Sequence, residues 1–336
     1  MSTSTTQDSS GARECPVCSA DDPAAPAAVG PDGYCQACGR KVPVSRDHAE
    51  FDLGLLAGVT DRGLRHERNE DAMALATASG PHGQVALAVV SDGVSSAPRP
   101  DEASLTAVRA AMRVLISSVQ TGEDPAGASV AAVTAGAQAL TELADPEGSP
   151  AATYVSAAVS SDLVTVCWLG DSRAYWLATD PADCARLTRD DSLAEEIVAA
   201  GLASVDEAMS SPQAHVITRW LGADLPEPQP HVAQFAPPGP GVLLICSDGL
   251  WNYRPEAADL AALALPAAQT DACALSRPFW VAAGIHSAGE NGMRTTVMLS
   301  WPPMSTANFT RPDAAPSGSV SASGSASSAR SAASGR

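Results

Sequence analysis

The sequence predicts an α+β domain in which antiparallel sheets are covered by helices. Short β-rich segments follow one another across tight turns, and the helical segments come in pairs. A parallel doubly wound sheet would show a more regular alternation of strands and helices. The 336 residues suffice for a large core, which is expected to consist mainly of Ala, Val and Leu because aromatic residues make up only 4% of the chain.

The helices and strands are predicted from hydrophobic periodicity. Two long helices are expected over 102–120 and 125–143, where apolar residues recur at helical spacing after acidic or Pro-containing starts. Short strands are expected in AATYVSAAVS, LVTVCWLGD and RAYWLA, and LAEEIVAAG predicts a short helix that ends at Gly201. GVLLICSD is expected to form a strand, followed by helical segments at 256–264 and 271–285 and a last strand in TTVMLSW.

Composition divides the chain into four parts. Residues 1–12 are predicted to be disordered, and 13–42 form a cysteine-containing module. The segment VPVSRDHAEFD leads into the main domain, which is expected to span 51–302. Residues 303–336 are rich in Ser, Ala and Gly and predict a flexible tail.

The net charge of −18 argues against binding to a nucleic-acid backbone, which requires basic surfaces. No apolar run approaches the length of a membrane span, and the polar start MSTSTTQDSS does not resemble a signal peptide. A cytoplasmic protein without membrane or nucleic-acid partners is therefore expected.

Four of the eight cysteines form two Cys-x-x-Cys pairs, Cys15 with Cys18 and Cys35 with Cys38. Two such pairs separated by a short loop are typical of a zinc ribbon, in which four thiolates surround one structural Zn²⁺. A redox pair or two disulfides are the alternatives. Neither pair lies in a strand–helix pattern, and a reducing cytosol disfavours disulfides.

Two apolar runs end in the same tripeptide. VALAVVSDG places Asp92 and Gly93 after one predicted strand, and GVLLICSDG places Asp248 after another. A single Asp-Gly is ordinary turn chemistry. Two rigidly held carboxylates, each followed by a glycine that permits close approach to the backbone, instead indicate a site for a hard cation.

Six motifs occur in the order found in one known family: RNED, SDG, GDSRAY, LTRDDS, VITRWLG and CSDGLW. From about residue 54 to 300, the chain resembles the metal-dependent Ser/Thr protein phosphatases of the type 2C class in their bacterial form. The resemblance implies an αββα four-layer sandwich, with two antiparallel sheets flanked by helices. It also implies two or three Mg²⁺ or Mn²⁺ ions in a cleft at one end.

The resemblance assigns roles to five residues. Asp92 would bridge two metal ions and the Gly93 carbonyl would bind the second ion. Asp248 would hold the first ion, and Asp71 would act on the water shell of the second. Asp171 would hold a third ion together with Asp248. Asp71, Asp92 and Asp248 would thus carry catalysis through a water shared by two ions.

Other interpretations of these motifs stay open at the level of the sequence. Asp71 is also compatible with an acidic helix start, and Asp171 with a turn. Arg173 is compatible with a purely structural role, and LTRDDSLAEE with a capped helix start. His215 is expected to be a surface or core histidine rather than a base.

The chain departs from the family pattern at several positions. His66 stands where the family has a phosphate-binding arginine, and Arg65 and Arg68 are the neighbouring candidates for that contact. SDGVSS lacks the usual glycine pair, Asn252 replaces an aspartate found in relatives, and Met293 aligns with the last metal-binding aspartate of the family.

The resemblance implies a phosphatase that hydrolyses phosphoserine and phosphothreonine in phosphorylated proteins and opposes a Ser/Thr kinase in signalling. The departures from the pattern support an alternative. In that alternative, the domain is weakened or inactive and binds phosphoproteins or other partners.

Overall fold

The computed structural model of the protein describes residues 18, 29–30, 33–40, 42, 44, 46–53, 56–63, 66–225, 227–239 and 241–265, together with the course of the strand at 294–301. Several features considered above lie outside these residues: the segment 1–12, the tail 303–336, the predicted helix 271–285, Cys15, Arg65 and Met293.

The described part of the chain contains thirteen strands and six α-helices. The strands are β1 (His48–Asp52), β2 (Leu56–Asp61), β3 (Asp71–Gly80), β4 (Gly83–Asp92), β5 (Ala151–Ala152), β6 (Tyr154–Val159), β7 (Val164–Leu169), β8 (Arg173–Ala178), β9 (Ala185–Arg186), β10 (Leu221–Gly222), β11 (His231–Phe235), β12 (Gly241–Cys246) and β13 (Arg294–Trp301). The helices are α1 (Pro100–Thr121), α2 (Pro125–Leu143), α3 (Leu193–Ala199), α4 (Val205–Met209), α5 (Asp248–Trp251) and α6 (Ala257–Ala264), and a 3₁₀ turn covers Pro181–Asp183.

The strands form two large antiparallel sheets. Sheet one has the order β1-β2-β13-β12-β8-β9, and sheet two has the order β11-β7-β6-β4-β3. A small ladder joins β10 to β5. All pairings in both large sheets are antiparallel, as the succession of short strands predicts.

The two sheets pack face to face, and alternation along the strands explains why the apolar runs are continuous. In β4, Ala88 and Val90 face sheet one, whereas Leu87 and Val89 pack against α1 and α2. In β12, Leu243 and Ile245 likewise face sheet two. Both faces of these central strands are therefore buried.

Helices cover the outer faces of the sheets. Helices α1 and α2 pack together over sheet two, and Ala107, Val108 and Leu115 of α1 are buried there. Helix α6 packs on β8 of sheet one through Leu260 and Ala261. The α+β sandwich with helices outside both sheets is confirmed. No helix in the described ranges is both long and apolar enough to span a membrane.

Most elements predicted in the described ranges are present, and the differences from the prediction include the following three. The stretch AATYVSAAVS is divided into β5 and β6 at Thr153. Strand β1 begins at His48, inside the segment VPVSRDHAEFD that is expected only to lead into the main domain, and it pairs with β2. The apolar run of β12 ends at Cys246, and Asp248 begins a short helix instead of ending a strand.

Candidate functional site

Asp71 and Asp92 lie side by side because of strand register. Asp71 is the first residue of β3, Asp92 is the last residue of β4, and the two face each other directly in the antiparallel ladder. The pKa of Asp92 is raised by burial, and the Asp71 carboxylate lies close enough to raise it further. The alternative that Asp71 begins a helix is therefore wrong.

Asn69 of the RNED motif orients the start of β3. Its side chain is buried, donates to Thr60 Oγ1 at 2.7 Å, and accepts from the Asp71 N–H at 3.2 Å. Because this amide joins β2 to the first residue of β3, it fixes where the Asp71 carboxylate enters the site.

The end of β4 is held by Thr153, the residue that separates β5 from β6. The Asp92 N–H donates to Thr153 Oγ1 at 3.0 Å, and the Thr153 N–H donates to the Asp92 carbonyl at 2.8 Å. Ser91 Oγ donates to the Thr153 carbonyl at 2.6 Å. Thr153 is also hydrogen-bonded to Ser172 at 2.8 Å, which connects Asp92 to the neighbour of Asp171.

Gly93 is required by a close approach of two backbone segments. A Cβ at this position would lie 2.1 Å from the Pro100 carbonyl oxygen and 2.8 Å from the Glu70 carbonyl oxygen. The Gly93 N–H donates to that same Glu70 carbonyl at 3.1 Å. The glycine thus allows α1 to begin next to the strand end that carries Asp92.

Asp171 and Asp248 approach from two other strand ends. Asp171 is buried and follows Gly170, which lies directly after β7 in the left-handed region at φ 99° and donates its N–H to Asp191 Oδ2 at 3.0 Å. Asp248 begins α5 after β12, and its Oδ2 accepts from Asn252 Nδ2 at 3.1 Å.

Ser247 ties the two sheets together at this end of the sandwich. It is fully buried, and its Oγ donates to Asp71 Oδ2 at 2.7 Å although the two residues lie 176 positions apart in the sequence. This hydrogen bond places the residue before Asp248 against the first residue of β3.

The electrostatics show that the four carboxylates converge. Burial raises the pKa of Asp92 well above its usual range, and the carboxylates of Asp71, Asp248 and Asp171 raise it further. Burial also raises the pKa of Asp171 to about 8, with further increases from Asp248 and Asp190, whereas Arg173 acts in the opposite direction. Anionic charge is therefore costly here unless cations compensate it.

This donor set suits hard divalent cations. The side chains of the four aspartates supply only carboxylate oxygens, and Gly93, whose backbone carbonyl is a further oxygen donor, lies in the same cleft wall. Mg²⁺ and Mn²⁺ prefer such oxygen ligands, and a divalent ion would offset the repulsion that raises these pKa values.

The acidic cluster opens into a cleft of about 720 Å³. Asp92, Asp171 and Asp248 line it, whereas Asp71 lies buried against Asp92. Its wall also contains His66, the candidate phosphate-binding residue, whose carbonyl accepts from Arg62 at 2.6 Å. The remaining lining residues are Gly93, Val94, Ser95, Ser96, Ala97, Ser149, Ala151, Thr153, His215, Val216, Ile217, Trp220, Asp224, Gly249, Asn252 and Tyr253.

The motifs GDSRAY and LTRDDS form a structural support behind the cluster. Buried Arg173 donates to both Asp190 oxygens, with its Nη2 at 2.6 Å from Oδ2, and its guanidinium carbon lies 3.6 Å from the centroid of the Trp251 ring. Ser192 caps α3 by accepting from the Glu195 N–H at 3.4 Å. The structural interpretation of Arg173 and the capped helix start are both confirmed.

Sequence reasoning missed part of the cleft wall. His215, Val216 and Ile217 follow α4, and Trp220 precedes β10. His215 is a surface residue, as expected, but it lines the cleft, and the centroid of its ring lies 5.8 Å from that of the Trp251 ring. Only the motif order around VITRWLG pointed to this segment, because no periodicity marks it.

A second candidate site lies near the start of the described residues. The sulfur atoms of Cys18, Cys35 and Cys38 lie within 4.8 Å of one another and form no disulfide. The Cys35 sulfur accepts N–H groups from Ala37 and Cys38, each at 3.4 Å, and Gly39 adopts φ 68° in the turn that follows. Cys15 lies outside the described residues.

The fold is a four-layer sandwich with an acidic cluster at one end. A family model described as Protein phosphatase 2C matches residues 62–262. This match covers more than half of the chain, and the protein therefore belongs to the protein phosphatase 2C family.

Known relatives agree with this assignment. A serine/threonine phosphatase stp of Listeria innocua is 37% identical over 107 residues, which cover 31% of this chain and 40% of the relative. The stp protein of Listeria welshimeri is 36% identical over 106 residues. The chain thus spans about two fifths of the length of the curated relatives that it matches.

Solved structures match over a longer range. The PPM Ser-Thr phosphatase MsPP from Mycobacterium smegmatis, in complex with cacodylate, is 27% identical with a TM-score of 0.54, and the match covers 73% of this chain and 97% of that one. The S. agalactiae serine/threonine phosphatase gives a TM-score of 0.56 at 22% identity, covering 73% and 98% of the two chains, and this likeness supports the fold.

Proposed function

We propose that this protein is a metal-dependent protein Ser/Thr phosphatase that hydrolyses phosphoserine and phosphothreonine in phosphorylated proteins. The observation that carries this proposal is the convergence of Asp71, Asp92, Asp171 and Asp248 from four separate strand ends at one cleft. Membership in the protein phosphatase 2C family supports the proposal.

Four carboxylates and one carbonyl would hold the metal ions. These are the carboxylates of Asp71, Asp92, Asp171 and Asp248 and the carbonyl of Gly93. Mn²⁺ or Mg²⁺ bound there supplies Lewis acidity toward phosphoryl oxygens and lowers the pKa of bound water. A related catalytic domain, that of PstP, has been solved in complex with two manganese ions, which supports this cofactor.

The chain's own residues hold the site rigid and place the substrate. The Thr153 and Ser247 hydrogen bonds fix the carboxylates before any substrate arrives, so little reorganisation is required during reaction. His66 lies in the cleft wall, where its imidazole can donate to a phosphate oxygen, and Arg65 is the adjacent candidate for the same contact.

The direct test is release of phosphate from a phosphothreonine peptide in the presence of Mn²⁺. We expect hydrolysis by the natural chain and loss of at least about 100-fold in Asp92→Ala. Asp183→Ala, which removes an exposed aspartate of the 3₁₀ turn, is the matched control and should keep full activity. Equal activity in all three proteins would defeat the proposal.

A second candidate function is a phosphoprotein- or partner-binding module with weak or no catalysis. One observation favours it: among the described residues that line the cleft there is no lysine or arginine to grip a phosphate. Calorimetry with Mn²⁺ separates the candidates. Tight binding of two ions is expected of the phosphatase, and a single weakly bound ion of the binding module.

We also propose that Cys15, Cys18, Cys35 and Cys38 bind one structural Zn²⁺ within a ribbon at 13–42. Four thiolates at the usual Zn–S distance lie about 3.8 Å apart in a tetrahedron. The sulfur atoms of Cys18 and Cys35 are 3.7 Å apart, which fits this geometry. Metal analysis of the purified chain should find one zinc per chain, and Cys35→Ser should lower that content.

The zinc ligands also support a cytoplasmic location, because a reducing compartment keeps thiols available for metal binding. We propose that the phosphatase domain spans 51–302. Its substrates would include a Ser/Thr kinase of the same cell. Phosphate release from the autophosphorylated kinase, measured with and without Asp92→Ala, tests that partner.

A further inference from the structure

The cleft contains an unusual set of groups for a site that would bind a phosphate. A phosphate ester dianion is recognised by charged or N–H donors, most often guanidinium groups. Among the described lining residues, nitrogen is carried only by four side chains, those of His66, His215, Trp220 and Asn252.

Two of these four side chains already serve neighbouring carboxylates. Trp220 Nε1 donates to Asp224 Oδ1 at 3.2 Å, and Asn252 Nδ2 donates to Asp248 Oδ2 at 3.1 Å. The two imidazoles are therefore the nitrogen groups of the wall that can turn toward a substrate. His66 comes from the loop between β2 and β3, whereas His215 comes from the loop after α4.

The backbone around His215 is well fixed. The Ala214 N–H donates to the Ser211 carbonyl at 3.0 Å, the Val216 N–H donates to the Gln213 carbonyl at 3.1 Å, and the Val216 carbonyl accepts from Leu193 at 2.9 Å. Ala214 is buried in the small core shared by α3 and α4. The exposed imidazole is thus carried on a loop anchored on both sides.

The neighbour of the His215 ring also ties it to the acidic cluster. The ring lies against Trp251, which is buried and belongs to α5, the short helix that begins at Asp248. Trp251 in turn packs on Arg173. The His215 imidazole therefore lies next to a rigidly packed side chain near the acidic cluster.

We infer that His215 is a phosphate-binding residue of this cleft and that its imidazole donates a hydrogen bond to a non-bridging oxygen of the substrate phosphate. This inference rests on the proposed phosphatase function and extends it. In this arrangement the chain binds phosphate through the imidazoles of His66 and His215, which come from two different loops.

Binding of inorganic phosphate to the full chain with Mn²⁺, measured by calorimetry, tests the inference without requiring turnover. We expect His215→Ala to weaken phosphate binding about tenfold, as the loss of one charge-assisted hydrogen bond implies. His215→Arg should restore it, and His215→Gln, which keeps an N–H donor, should lie between. His82→Ala removes an exposed histidine of the β3–β4 turn and serves as the matched control.

Kinetics with p-nitrophenyl phosphate and a phosphothreonine peptide provide the second measurement. We expect His215→Ala to raise KM about tenfold for both substrates, with a much smaller change in kcat. An unchanged phosphate affinity in His215→Ala would overturn the inference even if the natural chain hydrolyses both substrates. Absence of hydrolysis by the natural chain, with phosphate binding that still depends on His215, would instead reject the phosphatase function alone.

Discussion

The tripeptide Ser-Asp-Gly occurs twice at the candidate site, and its two copies have different structures. At 91–93, Asp92 ends a strand of sheet two and Gly93 continues into an isolated bridge with Ala152. At 247–249, the strand of sheet one has already ended, and Asp248 and Gly249 form the first turn of α5. Both copies place their carboxylate in the acidic cluster. One does so from the end of a strand, and the other from the start of a helix.

The serines show the same division. Ser91 and Ser247 are both fully buried, but Ser91 donates to the Thr153 carbonyl within sheet two, whereas Ser247 donates to the Asp71 carboxylate across the two sheets. One serine secures a strand end, and the other joins the sheets. Identical local sequence therefore serves different parts of the same site.

The largest effect on metal binding and activity is expected from substitution of the two aspartates, Asp92 and Asp248. Because Asp92 would contact two metal ions and Asp248 would contact the first, Asp92→Asn should abolish binding of both Mn²⁺ ions and lower kcat/KM about 1000-fold, roughly 4 kcal/mol. Asp248→Asn should keep one ion and some activity. Calorimetry and peptide hydrolysis measure both. Equal loss in the two variants would contradict the assignment of distinct roles.

The next largest effect is expected at Gly93, the glycine of the first copy. Gly93→Ala would place a methyl group 2.1 Å from the Pro100 carbonyl oxygen, a backbone atom that cannot rotate away. We expect a loss of about 3 kcal/mol in the free energy of unfolding, measured with urea. Gly127→Ala is the control, because a Cβ there meets only Asp124 Oδ2 at 3.5 Å within a helix. A Gly93→Ala variant as stable as this control would refute the steric argument.

Removal of the metal ions should make the acidic cluster visible in the pH dependence of stability. A carboxyl whose pKa is higher in the folded state binds its proton more tightly when folded. Its favourable contribution to the free energy of unfolding is therefore present below the usual pKa. That contribution is lost as the pH rises through the pKa of the folded state. For Asp171 these limits are 3.8 and about 8. The metal-free chain should therefore become less stable as the pH rises through this range.

Thermal unfolding in the presence of a chelator, between pH 5 and pH 8, measures this loss. Asp171→Asn should flatten the profile, whereas Asp183→Asn, at an exposed position, should leave it unchanged. A metal-free chain that is equally stable at both pH values would show that the carboxylates do not repel one another as their proximity implies.

Much of this architecture could be predicted because hydrophobic periodicity reports burial directly. Helix α2 has the predicted bounds, and the continuous apolar runs of β4 and β12 indicate strands covered on both faces. The division at Thr153 could not be predicted, because the break follows from hydrogen bonds to Asp92, a residue 61 positions earlier in the chain. The helix that starts at Asp248 was hidden in the same way, since Asp-Gly reads as a turn.

The candidate site shows the same limit. Asp92, Asp171 and Asp248 could be selected because each follows an apolar run, whereas Asp71 could be selected through the RNED motif. No local pattern shows that the buried amide of Asn69 joins Asp71 to Thr60 of β2. His215 could not be identified either, since its place in the cleft depends on the packing of α3 and α4. Residues whose role depends on contacts between distant segments leave no pattern in the nearby sequence.

The smallest expected effect separates the two serines. Ser91→Ala and Ser247→Ala each remove one buried hydrogen bond, and each should lower the free energy of unfolding by about 1 kcal/mol. Only Ser247→Ala should also weaken Mn²⁺ binding, because Ser247 is the serine that donates to a carboxylate of the cluster. Urea unfolding of the metal-free chain and Mn²⁺ calorimetry distinguish the two effects. If Ser91→Ala weakened Mn²⁺ binding as much as Ser247→Ala, the anchoring of the strand end would matter to the cluster as much as the connection between the sheets.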